Sequence, residues 1–106
     1  MAIHISKKAD LDAKLKEAGN NLVLIDFYAQ WCGPCKIIGP RLDEELVPEF
    51  PDLVLIKIDV DEAEEIVEEY EIHSMPTFVF IKNSTKIEQF AGGPYEKVRD
   101  TVKKLK

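Results

Sequence analysis

Leu22-Val23-Leu24-Ile25-Asp26-Phe27-Tyr28-Ala29-Gln30-Trp31-Cys32-Gly33-Pro34-Cys35-Lys36 decides the fold. It opens as an apolar run holding one acid and ends in the only two cysteines of the chain. A long helical pattern follows at once: Ile38, Leu42, Leu46 and Phe50 recur at helical spacing, starting near Pro34 and with Pro40 inside as an expected kink. The stretch therefore predicts a strand that turns directly into a helix at the cysteine pair.

Working outward, two more apolar runs, Leu53 to Ile56 and Phe78 to Ile81, share the lack of polar alternation seen in Leu22 to Ile25. Runs of this kind belong to central strands covered on both faces. Leu11, Leu15 and Ala18 mark a first helix between the expected cap Ser6 and the stop Gly19. Ala63, Ile66, Val67 and Tyr70 mark a third, and Tyr95, Val98, Val102 and Leu105 a fourth, with Pro94 near its first turn. Ile3 and Ile5 suggest a leading edge strand. Lys82-Asn83-Ser84-Thr85 reads as a hairpin turn into a weaker last strand, Lys86 to Ala91. The order β-α-β-α-β-α-β-β-α predicts an α/β sandwich, a mixed sheet of about five strands between four helices.

At 106 residues the chain is expected to be one domain, and its 45% hydrophobic share argues against disorder. A net charge of −6 disfavours nucleic acid and anionic membrane as partners. No apolar run approaches the ~18 residues that span a bilayer. Met1 to Lys8 lacks the apolar core of a signal peptide, and Lys103-Lys104-Leu105-Lys106 is not an endoplasmic-reticulum retention signal. The expected location is cytoplasmic, where cysteine pairs are mostly catalytic or metal-binding.

Three readings of Cys32 and Cys35 compete. As a structural staple the pair is weak, because closing a four-residue loop is worth about 2 kcal/mol against ~4.7 for a hundred-residue one. A zinc site needs four ligands, and the chain adds only His4 and His73, distant from the pair and from each other. No metal is expected. Thiol–disulfide exchange needs only the two sulfurs. Cys32 is expected just before the helix, where unpaired N–H groups favour a thiolate, and to be the more exposed, attacking sulfur. Cys35, inside the first turn, then closes the ring. Gly33 and Pro34 add no charge to stabilise the Cys32 thiolate, and Pro34 restricts the turn, which together predict a reductant.

The hexapeptide from Trp31 to Lys36 resembles the active-site motif of the thioredoxin family, and the resemblance runs along essentially the whole chain. It takes in Asp26-Phe27-Tyr28-Ala29, Pro40, Lys57-Ile58-Asp59-Val60-Asp61, Met75-Pro76-Thr77-Phe78 and Gly92. Length and the Met-Pro-Thr-Phe block are most similar to the animal cytosolic type. The resemblance implies the thioredoxin fold and a redox-active Cys32–Cys35 disulfide, with the lowered thiol pKa and reducing potential known for that family. It implies no bound cofactor, recharging by thioredoxin reductase with NADPH used indirectly, disulfide-bonded protein substrates such as peroxiredoxins, and a monomer. A thioredoxin-fold binding module with incidental cysteines is the alternative from another class. An oxidase or isomerase domain is disfavoured by Gly33-Pro34.

Residue by residue, the resemblance makes Asp26 the buried acid that exchanges a proton with Cys35. From the residues alone Asp26 reads equally as a desolvated carboxyl of raised pKa or as a solvated strand-end acid. Lys57 corresponds to a family position near that acid, and also reads as an ordinary surface lysine. Pro76 corresponds to the family's cis-proline facing the disulfide, where Met75 exposes backbone for strand-like pairing with substrate. Trp31, Met75, Pro76, Ala91 and Gly92 are then expected to form a shallow apolar groove; otherwise Trp31 reads as core and Gly92 as a simple turn.

Some positions depart from the family pattern. Asn83-Ser84-Thr85 lacks the hairpin glycine, so Asn83 is expected to turn left-handed. Ser74 stands where some animal cytosolic members carry an extra cysteine, which removes a disulfide-linked dimer at that position. From Asp59 to Glu71 the chain carries eight acids and no base, read as a solvated helix face or as a surface that steers basic partners. His73 lies near the expected groove, with surface placement the simpler reading.

Overall fold

Two periodicities build the architecture. The computed structural model describes residues 2–106. A five-stranded mixed sheet has the order β1-β3-β2-β4-β5, from β1 (Ile3–His4), β2 (Val23–Tyr28), β3 (Val54–Asp59), β4 (Thr77–Lys82) and β5 (Thr85–Ala91). β3 runs parallel to β1 and β2, whereas β4 is antiparallel to β2 and β5. The three apolar runs of the sequence fall in or beside the three inner strands, as their lack of alternation requires.

Alternation within those strands feeds two cores. Val23, Ile25 and Phe27 pack with Leu11 and Leu15 of α1 (Lys8–Ala18) and Ile66 of α4 (Glu64–Glu69). Leu22, Leu24, Phe78 and Phe80 pack on the opposite face against Ile38 of α2 (Gly33–Arg41), and against Val98 and Val102 of α5 (Tyr95–Leu105). Asp26 is two residues beyond Leu24 and Lys57 two beyond Leu55, so both share the α2 face.

The helix after the cysteines is not one regular rod. α2 ends at Arg41, a π-helical turn spans Leu42–Leu46, and α3 (Val47–Glu49) completes it. Val47 N–H reaches back to Leu42 O, the wider pattern of a π turn. Pro40 and Pro48, neither with an N–H to donate, bracket this turn. The irregularity expected at Pro40 therefore lies just after it. Ile38, Leu42, Leu46 and Phe50 nevertheless all reach the core.

The first helix begins differently from expectation. Its N-cap is Lys7, without a side-chain cap hydrogen bond, rather than Ser6, while Gly19 ends it at φ 59°. In the β4–β5 hairpin Asn83 takes the expected left-handed conformation at φ 54°, and Ser84 joins it at 60°. A two-residue turn with both positions left-handed matches the twist of the strands it joins.

Candidate active site

The site is assembled where β2 hands the chain to α2. Cys32 is the N-cap of α2 in extended conformation, and Pro34 occupies the first turn, where its missing N–H is not needed. Cys32 and Cys35 are joined as a disulfide. The Cys35 N–H donates to Cys32 Sγ at 3.2 Å, so Cys32 caps the helix with sulfur. That N–H and the positive end of the helix thus both face Cys32 Sγ.

Cys32 is not the more exposed of the two: its surface is 5% accessible and that of Cys35 6%. In the closed disulfide both pack with Ala29, and Tyr28, Val60 and Met75 cover the cluster. In the closed disulfide the sulfurs therefore differ not in exposure but in position, with Cys32 Sγ at the helix terminus accepting the Cys35 N–H. Gly33 and Pro34 are exposed above them, and Trp31 is 67% accessible, which rules out its reading as a core tryptophan.

Across from the pair, the Met75–Pro76 peptide is cis and Met75 O lies 3.6 Å from Cys32 Sγ. Gly92 N–H donates to Pro76 O at 2.8 Å, and Thr77 pairs with Ala91 across β4 and β5. Met75, Pro76, Ala91 and Gly92 therefore meet at one edge of the disulfide. Gly92 has φ 68°, a left-handed backbone that glycine takes without a Cβ penalty. Trp31 is held on a different neighbour: its indole N–H donates to Asp61 at 2.9 Å.

Asp26 lies behind the disulfide, on the α2 face, with 2% of its surface accessible. Among the described residues its Oδ1 has no hydrogen-bond partner. Burial pushes its pKa up to about 7, with Lys57 opposing the rise and Asp43 adding to it. A solvated strand-end acid is excluded. Lys57 is Asp26's register partner on β3, but its ammonium reaches outward to Asp43 at 2.6 Å and Gly39 O at 3.3 Å. With a side chain only 11% accessible, Lys57 is no ordinary surface lysine. A cleft of about 540 Å³, open to solvent, is lined by Cys35, Asp26, Lys57 and Asp43 among others.

The acidic stretch is not uniformly solvated. Asp59 is buried, accepting from Asp61 N–H at 3.0 Å and from Gln30 Nε2 at 3.3 Å, and Asp61 holds Trp31. Asp43, Gln30 and Asp61 join the site without a signal in the local sequence that marks them. Asp43 sits in the acidic triplet Asp43-Glu44-Glu45, indistinguishable there from a solvated helix face. His4 lines the cleft, whereas His73 is exposed. Among the described residues no three His, Cys, Asp or Glu side chains cluster as metal ligands.

A disulfide capping a helix N-terminus, with a buried, protonatable carboxyl behind it, defines the site of a dithiol–disulfide oxidoreductase. The thioredoxin family model matches residues 2–104, and the chain belongs to the thioredoxin family. Thioredoxin-T of Drosophila melanogaster is 50% identical over 98% of the chain, which spans 66% of that relative's length. Chicken thioredoxin is 44% identical over 99% of both chains. Among solved structures, Fasciola hepatica thioredoxin superposes with a TM-score of 0.94 at 38% identity, covering 98% of this chain and 99% of that one. The Cys32–Cys35 disulfide of this chain is accordingly its redox-active group, and no helix among the described residues is long and apolar enough to cross a membrane.

Proposed function

We propose that residues 1–106 act as a single thioredoxin domain that reduces protein disulfides and is itself recharged by thioredoxin reductase at the expense of NADPH. The carrying observation is the placement of Cys32 at the N-terminus of α2, bonded to Cys35 in the first turn, with buried Asp26 beside the same cleft.

In the reduced protein the Cys32 thiolate attacks one sulfur of a substrate disulfide. A mixed disulfide forms, and the second substrate sulfur leaves as a thiolate. Cys35 gives its proton to Asp26 and attacks Cys32 Sγ, which closes the Cys32–Cys35 bond, breaks the bond from Cys32 to the first substrate sulfur and releases that sulfur as a thiolate. Two electrons pass from the dithiol to the substrate. A carboxyl with a pKa of about 7 suits this transfer at neutral pH, because it accepts a proton there and can lose it again. Gly33 and Pro34 leave the Cys32 thiolate without an added cation, and Lys57 moderates Asp26. Trp31, Met75, Pro76, Ala91 and Gly92 supply the rim, with Met75 backbone next to sulfur for strand-like pairing to an extended substrate segment.

The proposal extends to oxidised peroxiredoxins as substrates, a monomer, and residence in the cytoplasm. Turnover of a model protein disulfide, with Cys32→Ser alongside, tests the reading. Wild type reduces it catalytically with NADPH and a thioredoxin reductase, and Cys32→Ser does not. A protein that turns nothing over yet keeps its partners after Cys32→Ser is a binding module, and the proposal fails.

A further inference from the structure

Asp43 has a position that the exchange reaction described above leaves unused. Lys57 leaves β3 directly beside Asp26, on the same face of the sheet. Its ammonium could turn back onto the Asp26 carboxyl or reach away from it. It reaches away, 2.6 Å from Asp43 Oδ2 and 3.3 Å from Gly39 O, and Asp26 Oδ1 has no partner among the described residues. Asp43 is presented by the π-helical turn, at 42% side-chain exposure on the outer rim of the cleft that also contains Cys35.

We propose that Asp43 is a positioning residue of this site: it anchors the Lys57 ammonium at the rim of the cleft, keeps that cation from pairing with Asp26, and so leaves the Asp26 carboxyl free to take the Cys35 proton. The inference rests on Asp26 being the proton acceptor. A buried carboxylate paired directly with a cation stays ionised and is a poor base. Asp43 works against that pairing twice, by holding the cation and by placing a negative charge of its own nearby. Both actions have the sign found for Asp26, where Lys57 lowers the pKa and Asp43 raises it.

The other titratable groups facing the same cleft are His4 from β1, Tyr28 from β2, and Cys35 and Lys36 from α2, with Asp59 and Glu62 beyond Tyr28 and Lys57. β4 contributes the apolar Phe78 opposite Asp26. Of the cations in this set, Lys57 alone has Asp43 as an ion-pair partner.

The test follows the Asp26 carboxyl by carbon-13 NMR across pH in the oxidised full-length protein, comparing wild type, Asp43→Asn, Lys57→Met and the double variant. The Asp26 midpoint is expected to fall in Asp43→Asn, to rise in Lys57→Met, and to fall much less on Asp43→Asn when Lys57 is already absent. In a single-turnover assay the acid limb for release of reduced substrate moves to lower pH in Asp43→Asn. An unchanged midpoint, or an equal fall with and without Lys57, overturns the positioning role. The underlying reading fails separately, through an Asp26→Asn variant that releases substrate as fast as wild type.

Discussion

Asp26 and Asp59 are both buried carboxylates on neighbouring central strands, two register positions apart, yet the protein treats them in opposite ways. Asp59, at the end of β3, accepts one backbone and one side-chain N–H, and by capping the turn at Asp61 it fixes the loop that holds Trp31. Asp26, on the α2 face of β2, has an oxygen with no donor among the described residues, and Lys57, its register partner, is turned toward Asp43. Burial is common to the two, so burial alone does not make a proton acceptor. What separates them is satisfaction. A carboxylate given its hydrogen bonds becomes architecture, and one denied them is left poised to bind a proton.

The largest effect that would sharpen this contrast is on stability against pH. Asp26 has a folded-state pKa raised from the usual 3.8 to about 7. The folded protein therefore holds a proton that the unfolded chain has lost, and the stabilisation this gives is complete below pH 4 and disappears as pH rises through 7. Asp26→Asn has no such loss. Its stability advantage over wild type should grow between pH 4 and 7 by on the order of 4 kcal/mol and then level off, as measured by denaturant unfolding at fixed pH values. An advantage that does not change with pH would put Asp26 in the same class as Asp59.

Asp59 should respond with the reverse sign. Asp59→Ala removes the acceptor for two donors and should destabilise by about 1–3 kcal/mol, while Gln30→Ala, which withdraws one donor, should cost about 1 kcal/mol. Both are read from urea midpoints. A stabilising Asp59→Ala would erase the distinction.

Much of this contrast was visible in the sequence, and the missing part has a physical reason. The inner strands could be read because three runs lacked polar alternation, and the thiol pair because two cysteines stood at a strand-to-helix junction. The acid at position 26 was conspicuous inside an apolar run, but its desolvation became certain only with α2 laid over it. Asp59 looked like one more member of an acidic stretch, since nothing local announces that Gln30, a residue of the β2–α2 connection, will reach it. Asp43 was hidden for the same reason, with the added obstacle of the π turn that presents it. Helical spacing correctly put Leu42 and Leu46 in the core without revealing that the hydrogen bonds between them skip a residue. Cys32 reads in the sequence as the more exposed sulfur, but in the disulfide both are equally covered and pack with Met75 and Tyr28. In the proposed mechanism the order of attack is set instead by the helix terminus.

That order can be read directly by mass spectrometry. Reduced Cys35→Ser protein is mixed with a substrate disulfide, the reaction is quenched in acid, and the adduct is mapped. A stable one-to-one mixed disulfide through Cys32 is predicted, with no comparable adduct from Cys32→Ser. An adduct formed through Cys35 in Cys32→Ser, or none in Cys35→Ser, would contradict the account.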